Sequence, residues 1–346
     1  MKLTLKQAIF MVLAAVIVVG GYFSWQFIAE QNKPVVPPKN YKIGFLLTDK
    51  DIGSANITGF KGGMEKAGYK EGVNITYIEK NAGADRATII DGYAKDLNDA
   101  GLDLIIISST SAGKALQKLQ DAGKLQTKIF FLAVGSPRDL VKNLQFPEGF
   151  ITGIGEGTVE FTGKRLEFLK ELVPNMRKVI SVVEKGSTNE KLFKEKLAET
   201  STKIGVEMVY IDIDTKKPDE ILQKLPLLTK KLGDAYITCP CKSNDQGTYA
   251  KPLAAQLLKA GLPSISTELK SGANIGFLAT YSDDREKTGE AGAVLVDKIL
   301  KGMPINNVPV SFAKDVILEI NLKTAKSLGI TIPQSILSGA NKVYNE

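Results

Sequence analysis

The chain has 346 residues, of which 43% are hydrophobic and 24% are charged, and its net charge is +7. This length suits two domains of ordinary size or one large unit of two lobes. The chain contains no histidine, which excludes Ser-His-Asp triads, Cys-His dyads, HExxH zinc sites and any imidazole general base. No arginine-rich cluster with interleaved aromatic residues occurs, so a lysine-coated surface explains the charge better than nucleic-acid binding does.

The N-terminal segment is apolar over residues 8–29, and Lys2 and Lys6 precede it. About 22 apolar residues suffice to span a bilayer core of roughly 30 Å, and lysines before the span favour a cytoplasmic N-terminus. We therefore predict one N-terminal transmembrane helix within residues 1–29. The alternative is a cleaved signal peptide, although the residues before Ala29 lack the small-residue pattern that cleavage requires.

Residues 30–40 contain the proline-rich sequence NKPVVPPKN, which is typical of a stiff, extended linker. Whether the anchor is kept or cleaved, the rest of the chain is exported. We therefore expect the protein at the cell membrane, with its soluble body on the extracellular or periplasmic side.

From residue 41 onward, short apolar strands alternate with amphipathic helices. In chain order, strands are predicted at 41–47, 74–79, 102–108 and 128–134, and the intervening helices at 59–68, 87–101 and 112–123. Continuous apolar strands joined by helices predict a parallel sheet with helices on both faces.

A short strand at 150–157 ends in a glycine-rich joint, after which the same alternation begins again. Helices are predicted at 161–174, 189–205, 219–233, 249–261 and 285–302, and strands at 177–184, 206–213, 234–240, 262–266 and 275–281. The helix at 219–233 is predicted in spite of Pro226.

The predicted fold class is α/β, with two doubly wound parallel-sheet lobes joined by a hinge that the chain crosses more than once. The joints are expected near Gly153 and Thr280. Ligands of open parallel sheets lie outside the carboxyl ends of the strands, so two such edges facing each other predict a ligand-binding cleft.

Several segments match one known family, in the same order along the chain. They are GFKGGMEKAGYKEGVNITYIEKNAGAD, GLDLIIISSTSAGKALQKL, VKNLQFPEGFITGI, RLEFLKELVPNMRKV, AGLPSIS, TGEAGAVLVDKILKG and LEINLKTAKSLGITIPQSIL. The chain resembles ABC-transporter substrate-binding proteins of the tryptophan/tyrosine-type branch, which are similar in build to type I periplasmic binding proteins. The resemblance covers about residues 41–344, and INLKTAKSLGITIP is its most specific part.

The resemblance implies a non-enzymatic protein that captures a small organic solute outside the membrane and delivers it to a permease and its ATPase subunit. Members often bind amino acids, some of them aromatic. No cofactor is expected. A ligand-sensing ectodomain on the same fold is the alternative, and neighbouring permease and ATPase genes would favour transport. An enzyme is a third reading, which the absent histidine, nucleophile motif and phosphate-loop motif disfavour.

Within such a fold, we expect residues 41–154 with about 282–306 to form lobe 1, and residues 155–281 with about 307–346 to form lobe 2.

Candidate ligand-binding residues in lobe 1 follow three of its predicted strands. They are Thr48 and Asp49, then Ser109, Thr110 and Ser111, and finally Gly135 and Ser136. The start of a helix offers unpaired N–H groups and partial positive charge, which suit a carboxylate. The resemblance places the residue 109–111 turn where the family binds ligand, and the family commonly has Asp in place of Ser136. Helix capping and plain turns are the alternative roles.

Candidate ligand-binding residues in lobe 2 are Ser187, Asn189, Pro240, Ser243, Glu268 and Tyr281. Asn189 and the loop at residue 240 fall in register with ligand-binding turns of the family, where Lys242 replaces the usual acid. Tyr281 is the best candidate for stacking on a planar ligand, and hinge packing is its alternative role.

The two cysteines, Cys239 and Cys241, supply too few ligands for a structural zinc site in a chain without histidine. A disulfide across one intervening residue would be strained. We therefore expect two reduced thiols and no metal.

Overall fold

The structure is a computed structural model that describes residues 39–48, 50–83, 86–187, 189–245, 247–268 and 272–345. The predicted anchor and most of the linker lie outside these residues. Among the helices in the described ranges, none combines the length and apolar character of a membrane span. The chain from Tyr41 to Glu346 forms one compact unit.

The first half of this unit alternates strands and helices. In chain order it contains β1 (Tyr41–Leu47), α1 (Lys50–Lys66), β2 (Ile75–Asn81), α2 (Arg86–Asp99), β3 (Leu104–Ile107), α3 (Thr110–Asp121), β4 (Ile129–Val134) and β5 (Ile151–Gly155).

The second half continues the alternation and ends with short elements. It contains α4 (Thr162–Leu172), β6 (Lys178–Lys185), α5 (Glu190–Ile204), β7 (Glu207–Asp214), α6 (Glu220–Lys224), β8 (Ala235–Ile237), α7 (Lys242–Asp245), α8 (Gly247–Lys259), β9 (Ser264–Ser266), β10 (Ala279–Asp283), α9 (Arg285–Leu300), β11 (Ser311–Phe312), β12 (Val316–Asn321), α10 (Leu322–Ser327), α11 (Gln334–Gly339) and β13 (Lys342–Tyr344).

The strands form two sheets, one in each lobe. The first has the order β11-β5-β4-β3-β1-β2 and the second the order β13-β12-β10-β9-β8-β6-β7. All pairs in the first sheet are parallel. In the second sheet, β12 runs antiparallel to β10, whereas the other pairs are parallel. The two parallel-sheet α/β lobes expected from the sequence are therefore present, with β12 and β13 reversed at one edge of the second sheet.

The first sheet is buried on both faces, as the continuous apolar strands predict. In β3, Ile105 and Ile107 pack into a core that includes residues of α2 and α3. Leu104 and Ile106 point the other way, into a core that includes α1 and α9. Alternate residues of a strand face opposite sides, so a run of four apolar residues serves both cores.

Helix α9 packs tightly on α1, far from it in sequence. A Cβ on Gly59 would lie 1.9 Å from the carbonyl oxygen of Glu286, and a Cβ on Gly289 would lie 2.1 Å from that of Asn56. Glycine at both positions therefore allows the two helix backbones to touch. This contact returns residues 285–300 to the first lobe.

The chain passes between the lobes three times, after β5, between β10 and α9, and between β11 and β12. Residues 311–312 precede the third passage and still pair with β5 in the first sheet, whereas the division expected from the sequence placed about residues 307–346 in lobe 2. A strand of two residues is too short to show a hydrophobic period, so no sequence pattern marks it.

The predicted helix at 219–233 is wrong beyond its first turn. Helix α6 ends at Lys224 and a 3₁₀ turn follows over Leu225–Leu227. Pro226 lies in that turn, and proline lacks the N–H that an α-helix needs and clashes with the preceding turn. The apolar spacing was correct for a helix, but the proline ended it.

Candidate functional site

The junction between β3 and α3 is a capped helix start. Ser109 is the N-cap of α3 and its Oγ accepts a hydrogen bond from the Ala112 N–H at 3.1 Å. The Ser111 hydroxyl lies 3.2 Å from that oxygen. Thr110 and Ser111 are the first two residues of the helix, where an N–H has no acceptor in the preceding turn. The Ser109 hydroxyl is thus used for capping, and the amides that follow it point out of the helix end.

The end of β4 carries an irregularity that directs the next residues. Ala133 has φ of 52°, in the left-handed region, and the pairing with β5 shifts register between Leu132 and Val134. A bulge of this kind bends a strand and re-aims the residues beyond it. Here these residues are Gly135 and Ser136, both of which line a cavity.

That cavity lies between the two lobes and has a volume of about 80 Å³. Residues that line it are Gly135, Ser136, Pro137, Arg138, Glu156, Val159, Glu160, Asn189, Leu192 and Phe312. Across it, the Ser136 hydroxyl donates to Asn189 Oδ1 at 3.3 Å, and Asn189 Nδ2 donates to the Pro240 carbonyl at 3.5 Å. Three of the residues predicted from sequence therefore form one chain of hydrogen bonds from lobe 1 to lobe 2.

A charged cluster lies beside the crossings. Arg285, at the start of α9, approaches Glu268 at 3.0 Å and Glu156 at 3.7 Å. Glu268 follows β9 and Glu156 follows β5, so this guanidinium joins three segments of chain. Arg285 and Glu156 side chains are 13% and 20% exposed, which places both charges largely out of water.

Arg165 in α4 connects two of the crossings through hydrogen bonds to their backbone carbonyls. Its Nε donates to the Tyr281 carbonyl at 2.6 Å and its Nη1 donates to the Thr158 carbonyl. The side chain is fully buried, and Nη2 has no hydrogen-bond partner among the described residues. Thr158 Oγ1 lies 3.3 Å from Asp283 Oδ1, so a third carboxylate, which is fully buried, belongs to the same cluster.

Burial shifts the titration of several of these groups. It raises the pKa of Glu156 to about 7, an effect that Arg285 opposes and that Asp283 and Glu268 reinforce. It also raises the pKa of Asp245 well above its usual value. Burial lowers the pKa of Arg165 to about 10, whereas the pKa of Arg285 is raised because its surrounding carboxylates outweigh burial.

The remaining predicted residues lie at the same strand ends but make other contacts. Thr48 is buried after β1, and Asp49 lies outside the described residues. The Ser187 hydroxyl is buried and has no hydrogen-bond partner among the described residues. Ser243 is buried, and its N–H donates to Glu184 Oε1 at 2.6 Å.

The ring of Tyr281 packs within lobe 2. It meets the ring of Phe161 edge to face with centroids 5.9 Å apart, and the ring of Phe168 at 6.1 Å. These contacts are those of hinge packing, so a stacking role on a ligand stays a prediction.

The sequence interpretation missed Arg165, Asp283, Arg285 and Glu156. A signal was present for Arg165, which shares the apolar stripe of α4 with Leu166, Leu169 and Leu172. A charged residue on the buried face of a helix needs partners. No comparable signal marks the other three, because their grouping depends on the three crossings.

Both cysteines are buried and free. Burial and a hydrogen bond with Cys241 raise the pKa of the Cys239 thiol well above its usual value, which makes it a poor nucleophile. In the part of the chain that the structure describes, no group of three or more Cys, Asp or Glu side chains is arranged to hold a metal ion.

The comparison with protein families decides the classification. The family model for ABC transporter substrate-binding proteins matches residues 47–344. The chain belongs to this family. The match confirms the resemblance stated from the sequence and spans both lobes and every crossing.

Relatives with known names or structures support this classification. A curated relative, the "Tyrosine-binding protein" of Clostridioides difficile (strain R20291), is 27% identical over 305 residues, covering 87% of this chain and 84% of the relative. A substrate-binding protein with adhesive properties from Clostridium difficile, solved in a ligand-free, open form, has a TM-score of 0.73 at 25% identity and covers 88% of this chain and 100% of that one.

An ABC domain from Streptococcus pneumoniae solved in complex with L-Trp has a TM-score of 0.71 at 24% identity, with 88% of this chain and 100% of that chain covered. At that identity the likeness shows the fold. This substrate-binding family protein thus has the fold of a structure that was solved with a bound amino acid.

Proposed function

We propose that this protein is the extracytoplasmic solute-binding component of an ABC importer, and that it captures an amino-acid-like solute in the cleft between its lobes and delivers it to a permease. The observation that supports this most is the joining of the lobes around the cleft, where Ser136 of lobe 1 meets Asn189 of lobe 2. A solute bound there contacts both lobes. It therefore favours the closed arrangement by the difference between its affinities for the two states.

In this proposal the start of α3 receives the ligand carboxylate. The amides of Thr110 and Ser111 supply donors and the helix supplies partial positive charge. Because Ser109 already caps the helix, its hydroxyl orients the turn, while the two amides after it bind. The relatives named for tyrosine and solved with L-Trp favour an aromatic amino acid as the first solute to test.

A ligand screen tests the binding function. The chain is heated with each of the twenty amino acids, short peptides and nucleosides, and each hit is titrated by calorimetry. We expect one-to-one binding by at least one amino acid, with stabilisation of about 2.7 kcal/mol at a ligand concentration of 100 times Kd. A screen without any hit would contradict the proposal.

Substitution at Thr110 tests the carboxylate site. Proline is well tolerated at the first position of a helix, and the preceding residue, Ser109, has φ of −152° and ψ of 151°, which proline permits. Thr110→Pro removes one N–H and keeps the helix. We expect a loss of affinity of about ten-fold or more, whereas Thr110→Ala keeps the amide and the affinity. Equal solute affinities for the two variants would show that the ligand carboxylate does not bind at the Thr110 amide.

Uptake measurements test the delivery step. Cells that lack this protein are expected to lose uptake of the solute found in the screen, and a plasmid copy restores it. Unchanged uptake together with solute binding would favour the ligand-sensing alternative.

A further inference from the structure

Glu156 is the cavity carboxylate with the least compensated charge. Among the described residues its nearest cation is Arg285, whose Nη2 is 3.7 Å away and lies closer to Glu268, at 3.0 Å. A charge that shares its only close cation with a nearer carboxylate gains little from it.

Glu160 lines the same cavity and provides the contrast. It pairs with Lys196 at 2.7 Å and with Arg138 at 3.5 Å. Two cations therefore neutralise Glu160, so of these two carboxylates only Glu156 remains to receive a further positive charge.

The carboxylate of Asp283 adds to the excess of negative charge near Glu156. Thr158 Oγ1 lies 3.4 Å from Glu156 Oε2 and 3.3 Å from Asp283 Oδ1, and one hydroxyl has one proton to donate. Asp283 is fully buried, and its Oδ2 has no hydrogen-bond partner among the described residues. A buried carboxylate oxygen without a donor is costly. Positive charge brought to this corner of the cleft therefore stabilises both groups.

The Glu156 carboxylate is reachable from the cleft. Its Oε2 lies 3.3 Å from where a Cβ on Gly135 would stand, so glycine at that position leaves room for it. Leu192, Val159 and Phe312 give the same cavity an apolar wall. A cationic head group attached to an apolar body fits this combination.

We propose that Glu156 receives the ammonium group of the solute, so that the ligand is a primary amine and not a sugar or a simple carboxylic acid. The assignment rests on the proposed function and adds the chemical class of the ligand. An ammonium group has three N–H donors, which suits a carboxylate beside the polar groups of Ser136 and Asn189. When Glu156 is protonated, binding transfers its proton to the buffer and leaves an ammonium–carboxylate pair.

The charged groups that face Glu156 set the pH at which it ionises and can bind an ammonium group. They are Arg285 on α9, Asp283 on β10, Glu268 after β9, Asp245 on α7, and Arg138 and Glu160 around the cavity. Burial and the carboxylates raise the pKa of Glu156 to about 7 against the effect of Arg285. Ammonium binding needs the ionised form, so affinity falls about ten-fold from pH 8 to pH 6.

Calorimetry on the full-length chain tests the assignment. The tightest-binding L-amino acid of the screen is compared at pH 8 with its N-acetyl derivative, which keeps the carboxylate and side chain and loses the charge. We expect the derivative to bind at least about 100-fold more weakly, since a buried charged partner is left unpaired. We expect Glu156→Gln to weaken binding of the amino acid about ten-fold or more and to abolish its dependence on pH. Glu207→Gln, at an exposed ion pair with Lys178, is the control.

The outcomes separate the two proposals. No amino acid binding at all would contradict the proposed function, and the assignment with it. Tight binding of both the amino acid and its N-acetyl derivative would leave the function standing and overturn the role of Glu156. So would Glu156→Gln with unchanged affinity. Should that variant fail to fold, proton release by the wild-type chain decides, measured at pH 6.5 in two buffers of different ionisation enthalpy. Proton release supports the assignment, and the absence of proton release overturns it.

Discussion

Replacing Arg165 should show that the geometry of its guanidinium group, and not its charge alone, stabilises the hinge. Arg165→Met removes the donors to the carbonyls of Thr158 and Tyr281. An unsatisfied buried acceptor costs about 1–3 kcal/mol, so two cost about 2–6 kcal/mol. The variant no longer buries a cation whose pKa burial lowers to about 10, which returns about 3 kcal/mol. The net expectation therefore lies between a gain of about 1 kcal/mol and a loss of about 3 kcal/mol in the free energy of unfolding.

Arg165→Lys separates geometry from charge. Lysine keeps the buried charge but presents one ammonium in place of a fork, so it does not reach both carbonyls in the same way. We therefore expect it to be at least as destabilised as Arg165→Met. Urea unfolding at pH 7 gives the free energies of unfolding of the wild-type chain and the two variants. Lys164→Met, at the adjacent exposed ion pair with Glu167, is the control and should stay close to the wild-type value. Near wild-type stability of the lysine variant, with a large loss for methionine, would refute the reasoning.

Three further predictions concern stability and reactivity. Ser109→Ala removes the cap of α3 and should lower the free energy of unfolding by about 1 kcal/mol, whereas Ser109→Thr should retain most of it. Glu156 titrates at about 7 in the folded chain against 4.5 ordinarily, so its contribution to stability is lost as pH rises from 4.5 through 7. Glu156→Gln should therefore stabilise the chain by up to about 3 kcal/mol at pH 8 and by nothing below pH 4.5, as thermal melts will show. Cys239 and Cys241 are buried and should react with a thiol reagent only after unfolding; rapid labelling of the folded chain would contradict their placement.

The repeating strands and helices could be predicted from the sequence because each is a local pattern. The four residues of β3 are apolar in a row because both faces are buried, and glycine stops mark the ends of several helices. The spacing of apolar residues predicted a helix through Pro226. It did not indicate where the proline would end that helix.

The candidate site could be predicted only in part. Strand ends identified Ser136 and Asn189, which the structure brings together. The contact of Arg285 with Glu156 depends on α9 returning to lobe 1. Residues 129 apart in sequence meet there through tertiary packing, and no local period encodes that.

The return of α9 to the first lobe also determines when that lobe can complete its fold. One face of the first sheet, with Phe45 of β1, shares a core with Phe60 of α1 and is covered in part by Ala293 and Val296 of α9. During export the N-terminal lobe emerges first, yet this face stays partly open until the last fifth of the chain has followed. Such a lobe completes its fold late and exposes apolar surface meanwhile. A chain cut short before α9 would therefore carry a correctly patterned first lobe that aggregates, even though every strand of its sheet except β11 is present.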